Sequence, residues 1–153
     1  MTMIERLLAL ANELAEKSAG SLTLKRRAVS TAYYAVFHAL AELCAGELLG
    51  VRTDKRSEDY VRVYRSLEHG ALKNAFRIAP LNSSDALRKI GDRVVRLQSE
   101  RIRSDYVPSQ ALYTSDECRD LVRSADSVVH SIGALSREER KRLAVHLLFK
   151  NRP

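Results

Sequence analysis

Apolar residues recur at every third or fourth position through most of the chain, and this spacing limits what the chain can fold into. In the first segment the apolar positions are Ile4, Leu7, Leu8, Ala11, Leu14 and Ala15. Such spacing places the side chains on one face of an α-helix. No window alternates apolar and polar residues as a half-buried strand would, and three prolines and six glycines leave little room for β-rich turn chemistry. The sequence therefore predicts an all-α fold.

Breaks in the helical pattern divide the chain into about five to six helices. After the first helix, a longer one is predicted from about Thr23 to Leu49, and a third from Tyr60 to Phe76, before the break at Pro80. A fourth helix is predicted to end near Arg103. We expect these helices to form an up-and-down helical bundle.

The last two helices are predicted from their capping boxes. TSDE begins at Thr114 and SREE begins at Ser136. In both, a Glu follows the Ser or Thr by three residues, and at this spacing the two side chains can accept hydrogen bonds from backbone amides at the start of a helix. At 153 residues the chain has the length of one domain, so we expect a single helical domain over residues 1–153.

The charge of the chain indicates an anionic partner. It has 26 lysines and arginines against 19 aspartates and glutamates, which gives a formal net charge of +7 at pH 7. A basic surface attracts phosphate-bearing ligands, so RNA or a nucleotide is the favoured partner, with a solvated basic surface as the alternative.

The N-terminal segment carries charges within its apolar pattern, so we expect a cytoplasmic protein with neither a signal peptide nor a membrane partner. Glycine-rich phosphate loops, GxSxG and HExxH are absent from the sequence. Cys44 and Cys118 lack the spacing of a metal or redox motif. We therefore expect no metal and no cofactor.

The second predicted helix carries two stripes. Its apolar face includes Tyr33 and Val36, which we expect to be buried. Beside that face runs a polar stripe, with spacings of four, three and four residues, formed by Arg27, Thr31, Tyr34 and His38. We expect Arg27 and Tyr34 to line a cleft.

A second cluster lies in the segment RIRSDYVP, at the predicted end of the fourth helix. Here Arg101, Arg103, Asp105 and Tyr106 stand within six residues. In one interpretation Arg101 and Asp105 form an ion pair and the Tyr106 ring is buried as the chain turns before Pro108. In the other interpretation an arginine of this segment binds a phosphate. Tyr106 or Asp105 then transfers a proton or orients the guanidinium of that arginine.

Three segments, in this order, resemble a HEPN (higher eukaryote and prokaryote nucleotide-binding) domain of the subgroup with an Arg-x-x-x-Asp-Tyr element. They are KRRAVSTAYYAVFHAL, ERIRSDYVP and TSDECRDLVRSADSVV, and the resemblance covers about Lys25 to Val129. It implies a helical homodimer in which the Arg elements of two copies face each other. It also implies a metal-independent endoribonuclease of a toxin–antitoxin or defence system, with a minimal nucleotidyltransferase antitoxin as partner.

Carried over by position, Arg101 matches the family arginine, and Asp105 and Tyr106 match the Asp-Tyr pair. The family histidine, which follows its arginine after four to six residues, has no counterpart at this place. His38 could supply the imidazole from the polar stripe, or it could be a hydrogen-bonded core histidine. Whether the chain cleaves RNA stays open at this point.

The sequence thus gives two sets of candidate residues. The catalytic candidates are Arg101, Asp105 and Tyr106, and the RNA- or nucleotide-binding candidates are Arg27, Tyr34, His38 and Arg103. Cleavage would proceed by attack of a ribose 2′-hydroxyl on the adjacent phosphate, with Arg101 stabilising the developing charge. The alternative function is a non-catalytic helical interaction or nucleotide-sensing domain.

Overall fold

The structure is a computed structural model that describes residues 1–108 and 113–150. Within these ranges the chain forms seven α-helices and no strand, so the predicted all-α fold class is confirmed. The helices are α1 (Met3–Glu16), α2 (Leu22–Leu49), α3 (Glu58–Ser66), α4 (His69–Arg77), α5 (Asp85–Tyr106), α6 (Ser115–Gly133) and α7 (Arg137–Leu148). None of these described helices is both long enough and apolar enough to cross a membrane.

The chain divides into two compact units. The first comprises Met1–Val36 and Arg93–His130, and the second comprises Phe37–Asp92 and Ser131–Pro153. The division falls within α2, α5 and α6, so each of these helices contributes residues to both units. The single domain expected over residues 1–153 stays a prediction.

In the first unit, α1, the first half of α2, the second half of α5 and most of α6 supply the hydrophobic core. Its fully buried members include Val29, Tyr33, Val36, Val94, Leu97 and Val122. The predicted burial of Tyr33 and Val36 is confirmed. Burial of large apolar side chains of this kind supplies most of the free energy that favours folding.

Helix α2 is buried over most of its circumference, which is more than the single apolar face that was predicted. Most positions between Ala28 and Ala45 are buried. The predicted polar stripe nevertheless exists, because Arg27 is exposed and Thr31, Tyr34 and His38 keep partial exposure. When a helix is packed on most sides, only a narrow strip of its surface reaches solvent, and polar side chains occupy that strip.

In the second unit α4 packs against α7. Fully buried side chains here include Leu40, Leu72, Leu81, Leu87 and Leu143. The predicted third helix is two helices, α3 and α4, because Leu67 adopts an extended backbone (ψ 124°) and is buried.

Helix α5 continues three residues beyond its predicted end, to Tyr106. The Val107 amide still donates to the Arg103 carbonyl (3.1 Å). The ring of Pro108 then prevents further helix. The residues from Arg101 to Tyr106 therefore form the end of α5.

The predicted helix starts at the end of the chain are confirmed. The Thr114 hydroxyl accepts from the Glu117 amide (3.1 Å), and Ser136 and Glu139 form both hydrogen bonds of a capping box. A capping box between Thr2 and Glu5, at the start of α1, was not predicted.

Candidate functional site

A groove lies between the first half of α2 and the last turn of α5, within the first unit. It has a volume of about 450 Å³ and is lined by Thr23, Arg26, Arg27, Ser30, Tyr34, Ser104, Asp105 and Tyr106. We call this surface the α2–α5 groove. The α2 residues recur at every third or fourth position, so they share one face of the helix. Four sequence-predicted site residues are brought together here, namely Arg27, Tyr34, Asp105 and Tyr106.

Arg27 is the exposed cation of the groove. Its side chain makes no hydrogen bond or ion pair with any residue that the structure describes. The first turn of α2 contains no acidic residue, so the partial positive charge at that helix end is not offset locally. Arg27 is therefore placed to bind an anion in the groove.

Arg26 is the neighbour of Arg27 in sequence but is already engaged with the end of α5. Its Nη1 donates to the Ser104 carbonyl (2.8 Å) and its Nη2 donates to the Val107 carbonyl (2.5 Å). The last carbonyls of a helix lack partners within the helix, and a cation there also interacts favourably with the helix dipole. Sequence analysis missed Arg26, because in the run KRR no signal other than helical phase distinguishes one arginine from the next.

Arg101 is 9% exposed and lies against two aromatic rings. Its guanidinium carbon is 5.2 Å from the ring centroid of Tyr33 and 5.7 Å from that of Tyr34. Guanidinium groups at such distances are attracted to the negative faces of the rings. Tyr34 lines the groove, so the buried Arg101 packs behind this part of the groove lining.

The charge of Arg101 has one ion-pair partner among the described residues, Asp105, at a distance of 3.7 Å between Nη1 and Oδ2. The Arg101 Nε is buried and has no hydrogen-bond partner among the residues that the structure describes. The predicted Arg101–Asp105 ion pair is confirmed. A buried guanidinium with an unpaired donor is costly, and a further acceptor would lower that cost.

The Tyr33 hydroxyl is held in its neutral form. Burial raises the pKa of Tyr33 to about 12, and the positive charge and hydrogen bond of Arg101 offset part of this effect. Tyr33 is therefore a phenol at neutral pH, and its ring serves as a surface on which the Arg101 guanidinium packs.

Tyr106 projects into solvent at the end of α5. It is 73% exposed, so the interpretation in which its ring is buried is wrong. The neighbouring Asp105 side chain is 25% exposed. The groove thus presents a carboxylate and an accessible phenol next to one another.

Arg103 has its contacts outside the groove lining. Its Nη1 lies 3.1 Å from Oε2 of Glu100, and its guanidinium carbon is 5.7 Å from the ring centroid of Tyr113. The Tyr113 hydroxyl also contacts Glu100 Oε2 (2.9 Å). These contacts tie Arg103 to Tyr113, two residues before the start of α6.

His38 belongs to the second unit. Its Nδ1 lies 2.5 Å from the Tyr64 hydroxyl, and the two rings are stacked with centroids 5.8 Å apart. Burial lowers the pKa of His38 and raises that of Tyr64 to about 12. The structure therefore gives His38 the hydrogen bond of the core-histidine alternative.

The lining of the groove has the groups needed to bind a phosphate and to move a proton. Arg27 supplies a fork of N–H donors, while Thr23 and Ser30 add hydroxyls. Asp105 is the carboxylate of the set. In residues 1–108 and 113–150 no group of three His, Cys, Asp or Glu side chains is arranged to hold a metal ion.

Comparisons of the chain with models of protein families, with curated proteins and with solved structures found no match.

Proposed function

We propose that the chain binds RNA or a nucleotide in the α2–α5 groove, as a HEPN-like module. The observation that carries this proposal is the exposed Arg27 guanidinium, which has no partner within residues 1–108 and 113–150, in a groove that also presents the Tyr34 and Tyr106 rings. A phosphate group would satisfy Arg27, and an aromatic base would stack on an exposed ring.

Electrostatics support an anionic ligand. The chain carries a net charge of +7, and the first turn of α2 lacks acidic residues. Among the lining residues that the structure describes, Asp105 is the one carboxylate, and it is ion-paired with Arg101. Positive potential therefore dominates this surface and favours a phosphate over a neutral ligand.

Aromatic exposure supports a nucleotide over inorganic phosphate. Tyr106 is 73% exposed at the rim of the groove, although burial of its ring would stabilise the fold. Stacking of a base on a tyrosine contributes about 1–3 kcal/mol and tolerates different bases. A ligand that has both a phosphate and a base can contact Arg27 through the phosphate and Tyr106 through the base.

RNA cleavage is the enzymatic form of this proposal. A ribose 2′-oxygen attacks the adjacent phosphorus, its proton passes to the Asp105 carboxylate, and the bond to the 5′-oxygen of the next nucleotide breaks. Arg101 and Arg27 supply positive charge to the phosphate. Tyr106, which lines the groove, donates a proton to the leaving 5′-oxygen.

The alternative is a non-catalytic interaction or nucleotide-sensing domain, and the burial of Arg101 favours it. That guanidinium already contacts two rings and a carboxylate. In this case Arg101 shapes the groove and the ligand is bound without being cleaved.

The sequence resemblance supplies the rest of the proposal. It suggests a homodimer with two Arg101 segments at a shared cleft, and a minimal nucleotidyltransferase antitoxin as protein partner. A cytoplasmic location is proposed separately, from the charges within the N-terminal apolar pattern. Phosphate or RNA should then stabilise the dimer, because an anion between like charges reduces their repulsion. Light scattering with and without RNA measures this effect.

The binding experiment uses a fluorescein-labelled RNA decamer and the purified chain over a range of NaCl concentrations. Arg27→Ala should weaken binding and reduce the slope of log affinity against log salt by about 0.7, the value of one phosphate contact on a single strand. Arg88→Ala is the matched control, because it removes one positive charge from an exposed ion pair on α5 in the second unit. Equal slopes for the two variants would contradict a specific site at the groove.

The cleavage experiment incubates the same RNA with the wild-type chain in the presence of EDTA. Metal-independent cleavage that is lost in Asp105→Asn supports the enzymatic form. Tight binding with intact RNA supports the non-catalytic alternative. If the wild-type chain binds neither RNA nor a nucleotide, the proposed function is wrong.

A further inference from the structure

We infer that Arg26 is a positioning residue of the α2–α5 groove: one guanidinium holds the backbone on both sides of Asp105 and Tyr106 and so fixes how these two side chains meet a ligand. The ligand in this statement is the one in the proposed function.

The geometry of the contact carries the inference. Ser104 and Val107, whose carbonyls accept from the two terminal nitrogens of Arg26, immediately flank Asp105 and Tyr106 in sequence. A guanidinium is a planar fork with donors in fixed directions, so holding two carbonyls at once restricts the peptide groups between them. The orientation of Asp105 and Tyr106 therefore depends on a residue of α2.

The division of roles between Arg26 and Arg27 follows from the same contacts. Both terminal nitrogens of Arg26 are already hydrogen-bonded to α5. A phosphate on Arg26 would have to displace a backbone carbonyl, and that carbonyl would lose its partner. Arg27 can take a phosphate without such a loss, since it has no competing partner among the described residues.

Other hydrogen bonds, made by Tyr113, also hold the end of α5. Loss of the two hydrogen bonds from Arg26 should therefore not unfold the helix. The Ser104 hydroxyl lies 2.9 Å from the Tyr113 hydroxyl, which also donates to the Glu100 carbonyl (3.0 Å). What depends on Arg26 is the backbone from Ser104, near the end of α5, to Val107, just beyond it.

The first test needs no ligand. Arg26→Lys keeps the charge but offers a compact ammonium in place of the fork. Amide hydrogen exchange over residues 101–107 should become about tenfold faster than in the wild type, because a charged hydrogen bond to the helix end is lost. Arg27→Lys is the matched control and should leave this exchange unchanged. Equal exchange in the wild type and Arg26→Lys would overturn the inference.

The second test is a double-mutant cycle with the labelled RNA decamer. Arg26→Lys should weaken binding about fivefold with an unchanged salt slope, since the number of charges is the same. In a Tyr106→Ala background the same change should have little further effect, because the ring that it orients is gone. If the loss of RNA affinity in the double variant equals the product of the losses in the two single variants, the inference is wrong. If the wild-type chain binds no RNA, the proposed function fails, while the exchange measurement still decides whether Arg26 holds the end of α5.

Discussion

The guanidinium carbon of Arg101 lies 5.2 Å from the ring centroid of Tyr33, so a side chain that is almost fully buried packs its guanidinium against an aromatic ring. The same arginine pairs with Asp105 at 3.7 Å and contacts the Tyr34 ring. It thus links the core of the first unit to two residues that line the α2–α5 groove. A change at Arg101 should therefore affect both stability and ligand binding.

Arg101→Ala should lower the free energy of unfolding by about 2–3 kcal/mol. The change removes ring contacts and leaves Asp105 without its cation, although partial exposure of that carboxylate moderates the loss. Arg103→Ala, a control on the exposed face of α5, should cost about 0.5 kcal/mol. Urea denaturation followed by circular dichroism measures both values. Similar losses for the two variants would show that the Arg101 contacts contribute little.

Tyr106→Ala should weaken RNA binding about fivefold to a hundredfold, because the stacking surface is lost. Tyr106→Phe keeps the ring and should bind like the wild type. Neither change should alter stability by more than about 0.5 kcal/mol, since the residue is 73% exposed. Fluorescence anisotropy gives the affinities. If cleavage is observed in the wild type and lost in Tyr106→Phe, the hydroxyl handles a proton; full affinity in Tyr106→Ala would exclude stacking.

His38 should make the protein less stable in mild acid. Burial lowers the pKa of His38 in the folded state below its ordinary value of 6.5, so the unfolded chain takes up a proton more readily. Stability is therefore unaffected well above pH 6.5, falls as the pH drops through that value, and levels off below the folded-state pKa. Urea midpoints between pH 8 and pH 5 measure the fall. His38→Gln should show a smaller fall, and an unchanged profile would rule His38 out as its source.

Two glycine substitutions in the second unit should act in opposite directions. A Cβ at Gly91 would lie 2.7 Å from Cδ1 of Phe76, so Gly91→Ala should destabilise the protein by about 1–3 kcal/mol. A Cβ at Gly70, in α4, meets no described atom within 4 Å. Gly70→Ala should therefore stabilise the helix by about 0.5–1 kcal/mol. Thermal unfolding of the two variants tests the packing of α5 on Phe76, and a gain for Gly91→Ala would contradict it.

The sequence determined the fold class and the local features of the helices. Apolar spacing of three and four residues requires helices, and the sequences beginning at Thr114 and Ser136 contain the hydrogen-bonding groups of their own caps. The polar stripe of α2 was also predicted, because residues such as Arg27 and Tyr34 share a helix face wherever the helix packs. These properties depend on neighbours close in sequence.

The tertiary structure decided which polar residues meet. Arg27 and Tyr34 lie across the groove from Asp105 and Tyr106, which are more than seventy residues away in sequence. It also decided that Arg101 is buried against Tyr33, that Arg103 instead contacts Glu100, and that His38 pairs with Tyr64. The end of α5 extends to Tyr106 with its last carbonyls capped by Arg26, a donor from another helix. Helical periodicity gives the face on which a side chain lies, but the partner of that face depends on how distant helices pack, and no local spacing encodes that.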